Sequence, residues 1–231
     1  MDKIHIIEKL FLHILIYSYL LLPLIFILFR SKRNIDLIIG VYGVVFFTFL
    51  FLQDRYLIPR GMLRFYQSFY TFCEYSFLTY LLFQNIAIKT FRIIILILSI
   101  FFTGFLTYYY LSNQLAKLDS ISVGIETVLI FIYISFYFYQ SFKSVNNEYI
   151  FSQPGFWLSL GILIYLGGTF FFNILVNHID ETQIKKYWFL TFIADTIKNL
   201  FFCVSIIVYA RNRHKQKLPP KSVPYLDLDM N

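Results

Sequence analysis

Apolar runs of about twenty residues, separated by short polar breaks, recur along this chain from one end to the other. A hydrocarbon core about 30 Å thick takes about that many helical residues to cross, and a helix satisfies its own backbone groups where no water can. The runs predict seven transmembrane helices, at residues 8–29, 35–52, 64–85, 91–112, 118–142, 156–178 and 187–210. The fold class read from this pattern is all-α, a polytopic membrane helix bundle. Residues 1–210 form the bundle, and residues 211–231 form a basic tail with Pro219, Pro220 and Pro224, predicted to be extended or disordered.

Composition removes the soluble alternatives. Hydrophobic residues make up 58% of the 231, aromatic residues 22% and charged residues only 14%, far from the balance of a soluble domain. The net charge of +7 would point to nucleic acid in a soluble chain. Here the basic residues flank the apolar runs, so helix topology and anionic lipid headgroups account for them, and no nucleic-acid partner is expected. Arg30, Lys32, Arg33, Lys89, Arg92, Lys143 and the run Arg211, Arg213, Lys215 and Lys217 gather on one side, which predicts a cytoplasmic C-terminus and an outer N-terminus. The first run lacks a small-residue cleavage pattern and reads as an uncleaved first span. Cys73 and Cys203 fall inside spans and read as buried free thiols. Gly40, Gly43, Gly161 and Gly168 mark expected close helix contacts, and Pro23 is expected to kink the first helix.

Charge inside such runs is costly, and it marks the candidate chemistry. Asp195 lies about eight residues into the last span, or roughly 12 Å along its axis. His13, Glu74 and Glu126 fall at similar depth on helices predicted to run the same way, with Lys198 about a turn deeper. Asp195 shares a helix face with Lys198 and Asn199. These six residues predict a buried polar layer reached from outside that binds a ligand or a proton. The plainer alternative is a set of pairs that locks helices together. No metal is predicted, because His-x-x-His, Glu-x-x-His and Cys-His spacings are absent. No cofactor is predicted either, and the absence of G-x-S-x-G and phosphate-loop motifs argues against an enzyme.

Three groups of residues carry a resemblance: Thr71 to Tyr75, Gly124 to Val128, and Phe156 to Gly161 with Gly167, Gly168 and Ile197 to Asn199. Together they resemble small stand-alone seven-span bacterial proteins that look like the membrane sensor regions of two-component systems. The resemblance implies a sensor or signalling accessory of a bacterial inner membrane that passes its state to a separate partner such as a histidine kinase. Another membrane protein or a second copy of the chain is a further candidate partner, besides the lipid bilayer itself. Two rival readings are a small-solute or proton-coupled transporter and a structural subunit of a membrane complex.

Overall fold

The computed structural model describes residues 3–55, 57–59, 62–112, 120–143, 150–175 and 187–217. Among them lie seven α-helices and no strand: α1 Lys3–Phe29, α2 Asn34–Asp54, α3 Leu63–Asn85, α4 Lys89–Ser112, α5 Ser120–Lys143, α6 Pro154–Leu175 and α7 Phe189–Lys217. Each coincides with one predicted run. The largest difference is at the C-terminus, where α7 continues as helix to Lys217, past the end of the apolar run at Ala210, and the remainder of the predicted tail lies outside the described residues.

Five helices, α1, α2, α4, α5 and α7, are long and apolar enough to cross a membrane. The 23-residue α3 is long enough, but Gln67, Ser68, Thr71, Glu74, Ser76, Thr79 and Gln84 lower its hydropathy. Outer faces of the bundle are as apolar as its interior: Ile100 and Phe101 are each 72% exposed and Leu111 82%. A helix that is apolar all round has no aqueous side, which is the pattern of lipid contact.

In the packing order, α1 lies between α2 and α7, α6 lies between α5 and α7, and α3 touches α2, α4, α5 and α6. The centre is filled by rings. Tyr19, Tyr42 and Phe46 are fully buried and pack on one another, with the Tyr42 and Phe46 centroids 4.4 Å apart. Such pairs add about 0.5–1.5 kcal/mol beyond their burial.

Two glycine contacts set how close the helices come. A Cβ built on Gly43 would lie 2.5 Å from the carbonyl oxygen of Tyr19 and 2.9 Å from Cδ of Pro23. Proline has no N–H, so Pro23 leaves that same carbonyl, four residues back, without its helical partner. The missing side chain of Gly43 lets the α2 backbone settle against it. α1 runs as one helix through Pro23. On the other side, a Cβ on Gly161 would come within 2.8 Å of Phe201 Cβ and 3.2 Å of the Lys198 carbonyl, and one on Gly168 within 2.8 Å of Ala194 Cβ. Gly40 is in ordinary contact, 3.6 Å from Phe26. Close approach of α6 to α7 thus occurs at the turns that carry Asp195 and Lys198.

At the end of the bundle where α1, α3 and α5 finish, a second polar cluster ties the links together. Arg33 donates to Asn85 Oδ1 at 2.9 Å, stands 3.9 Å from the buried Asp36 carboxylate and lies over the Tyr209 ring. Ser31 donates to the other Asp36 oxygen. Gln140 accepts from the Ala87 and Ile88 amides, closing the link between α3 and α4. Arg33 was grouped by sequence with the headgroup-facing charges. Its side chain is instead only 15% exposed, because Asp36 and Asn85 hold it inside the bundle.

Candidate functional site

Lys198 is fully buried, about nine residues and roughly 14 Å into α7. Its ammonium sits 2.6 Å from Asp195 Oδ1, one turn back on the same helix. Glu74 Oε1 of α3 is 3.6 Å away, near enough for strong attraction but beyond a direct hydrogen bond. The rest of its surroundings is aromatic: the Tyr165 centroid lies 3.8 Å from Nζ, Tyr42 5.3 Å and Tyr19 5.7 Å. Tyrosine faces attract a cation, and more strongly where water is excluded. Tyr165 lies one helical turn beyond Gly161, so the glycine that admits α7 also brings Lys198 onto that ring.

Asp195 is held from a third helix. The Tyr19 hydroxyl of α1 donates to both of its carboxylate oxygens, at 3.0 and 2.9 Å. Replacing Tyr19 by Phe removes this donor and keeps the ring. The expected cost is about 1–2 kcal/mol, between the value for a hydrogen bond to a charged group and the smaller values measured inside membrane bundles. Reversible unfolding in mixed micelles would measure it, and an unchanged stability would mean that Lys198 alone holds the carboxylate.

Against this cluster opens a cavity of about 210 Å³, lined by Glu74, Glu126, Asp195, Tyr70, Tyr165 and Trp188 among others. Its walls come from the first halves of α1, α3, α5 and α7 and the second halves of α2 and α6, with Trp188 just before α7. Glu126 of α5 is 4% exposed and makes no hydrogen bond or ion pair among the described residues. Asp195 and Glu74 therefore share one ammonium, and Glu126 has none within ion-pair distance among the described residues.

Of the six residues predicted from sequence, Glu74, Glu126, Asp195 and Lys198 come together here. Asn199 is buried one turn beyond Asp195 and does not line the cavity; it donates to Ser18 Oγ at 2.8 Å and joins α1 to α7. His13 is corrected. It faces out of the bundle, with Nδ1 2.7 Å from the Lys9 carbonyl, because equal depth along a helix says nothing about which side a residue takes.

No family of known proteins matches the chain, and neither a characterised protein nor a solved structure is significantly similar to it.

Of the tyrosines, Tyr70 and Tyr165 line the cavity. Tyr75 bonds Ser99 and Tyr133 elsewhere, and Tyr66 donates to the Phe49 carbonyl. Tyr19 and Tyr42 were not singled out. The only signal for Tyr19 was the pair Ser18-Tyr19 interrupting an aliphatic run, and Tyr42 had none, since tyrosine is abundant throughout. No group of three or more His, Cys, Asp or Glu among the described residues has the geometry to hold a metal. Cys73 and Cys203 are free thiols.

Proposed function

We propose that this chain is a seven-span receptor or signalling subunit of a bacterial inner membrane, with its N-terminus outside, that reports occupancy of the acidic cavity to a separate membrane partner. The observation that carries the reading is Glu126: a buried carboxyl with no hydrogen-bond or ion-pair partner among the described residues, on the wall of a cavity that also exposes Asp195 and Glu74. A group buried at that cost without a structural partner argues for something that arrives from outside the chain.

Spanning by α3 and α6 as well as the five apolar helices is part of the proposal, and its support is that α3 packs between α2, α5 and α6. The transmission route is electrostatic. A proton or ligand at Glu126 and Glu74 changes how strongly Glu74 attracts Lys198, and Lys198 stands on α7. That helix runs on to Lys217 and is tied at Asn212 to the Ser152 carbonyl beside α6. Ligand binding can therefore bias the packing of α7 between two states, and a partner such as a histidine kinase reads the result.

The double variant Glu126→Gln, Asp195→Asn should insert normally and change output. Output would be read as partner phosphorylation, after the partner is recovered by crosslinking from native membranes through an N-terminal tag. Wild-type output from the double variant sinks the reading. Recovery of the chain alone, with pH-dependent solute flux in proteoliposomes, would replace it by a transporter.

A further inference from the structure

We infer that the acidic cavity takes a small organic cation bearing N–H groups, of the alkylammonium class. The inference deepens the receptor reading by naming the chemistry of its ligand. Three observations support it, and they are independent of one another.

The first is charge. Lys198 is committed to Asp195 at 2.6 Å and to three tyrosine faces, and it reaches Glu74 only at 3.6 Å. Glu126 sits beyond its reach as an ion-pair partner, buried and lining the cavity. Among the described residues no second cation stands within ion-pair distance of this set of carboxyl groups.

The second is hydrogen-bond polarity. Four threonines line the cavity, and each has already used its hydroxyl hydrogen within its own helix. Thr71 donates to Gln67, Thr127 to Val123, Thr169 to Tyr165 and Thr191 to Trp188. They offer the cavity only lone pairs and methyl groups. The carboxyl and threonine oxygens on these walls accept hydrogen bonds and suit a donor-bearing cation over an anion, while Tyr70, Tyr165 and Trp188 are the donors on the same walls.

The third is size and surface. A volume of about 210 Å³ equals the liquid volume of about seven waters, at roughly 30 Å³ each. Leu15, Leu50, Phe192 and Trp188 supply apolar wall for a short alkyl body. Inorganic cations lack that body.

The test uses the full chain in nanodiscs of zwitterionic lipid at pH 8. The protein has two tryptophans, and Trp157 lies away from the cavity with its indole N–H on the Phe151 carbonyl. In a Trp157→Phe background, Trp188 on the cavity wall becomes the only indole reporter. Butylammonium should change Trp188 emission saturably and raise the unfolding temperature. Neutral butanol of the same shape should do neither at equal concentration, and tetramethylammonium, a cation without N–H, should bind at least tenfold more weakly. Glu126→Gln should lower butylammonium affinity at least tenfold, with Glu126→Asp between. No saturable response to butylammonium, an equal response to butanol, or equal affinity for tetramethylammonium would each overturn the inference, and all three are read on the unsubstituted cavity. Altered signalling in the Glu126, Asp195 double variant without ammonium binding would leave the receptor standing and remove only this ligand. Ammonium binding with unaltered signalling would do the reverse.

Discussion

Replacing Lys198 by methionine is expected to destabilise the folded chain by about 3–5 kcal/mol, the usual cost of removing one partner from a buried ion pair. Methionine keeps most of the aliphatic length, so loss of packing is a minor part of the effect. What remains among the described residues is Asp195 with only the Tyr19 hydroxyl, and Glu74 with no cation within ion-pair distance. The reading is made by reversible unfolding in mixed micelles at neutral pH. A second substitution, Asp195→Asn, should recover part of the loss, because the uncompensated carboxylate disappears with it. If the single variant lost less than about 1 kcal/mol, the pair would be an ordinary exposed one, contrary to its burial. Arginine should not rescue: a planar guanidinium needs more room than a compact ammonium seated 3.8 Å from the Tyr165 centroid.

Gly43→Ala is the second large effect, and here two terms compete. Alanine in place of glycine favours a helix by about 1 kcal/mol. Against that, the added Cβ would stand 2.5 Å from the Tyr19 carbonyl oxygen, 2.8 Å from Leu22 Cβ and 2.9 Å from Pro23 Cδ. None of these is the free end of a flexible side chain, so α1 and α2 must separate. Over-packing of this kind costs about 1–3 kcal/mol, and three simultaneous overlaps place it near the top of the range, well above the propensity gain. Gly104→Ala is the matched control, since a Cβ there meets nothing within 4 Å. It should be neutral or stabilising by up to about 1 kcal/mol. Equal stability of the two variants would show that the α1–α2 approach can relax. Because Tyr19 also holds Asp195, Gly43→Ala should move the cavity chemistry as well, seen as a weaker coupling between Tyr19→Phe and Asp195→Asn in a double-mutant cycle.

Much of this architecture was legible along the chain, for a reason particular to membranes. Water is missing from the hydrocarbon core, so each run of about twenty apolar residues has one viable conformation, and the runs map onto helices within a few residues. Ionisable residues inside such runs were equally visible, because burying charge is costly enough to be rare, and Glu74, Glu126, Asp195 and Lys198 stood out by that rule alone. Gly43, Gly161 and Gly168 were identified as close contacts on the same footing, though not what they touch. The polar cluster at the other end was hidden, since Asp36 is only the third residue of α2 and Arg33 resembles any basic residue beside a span.

What the sequence by itself determined, then, is one-dimensional: that the chain is helical and lipid-facing, where each helix lies along it, and at what depth the charges fall. The tertiary structure decided direction around each helix axis. Depth alone placed His13 with the carboxylates, and the rotation of α1 put it outside and Tyr19 inside. Hydrophobic periodicity usually settles that rotation from sequence, but these helices are apolar on every face, so lipid and core demand the same residues. Only the packing of glycine against backbone and of tyrosine around Lys198 distinguishes one face from another.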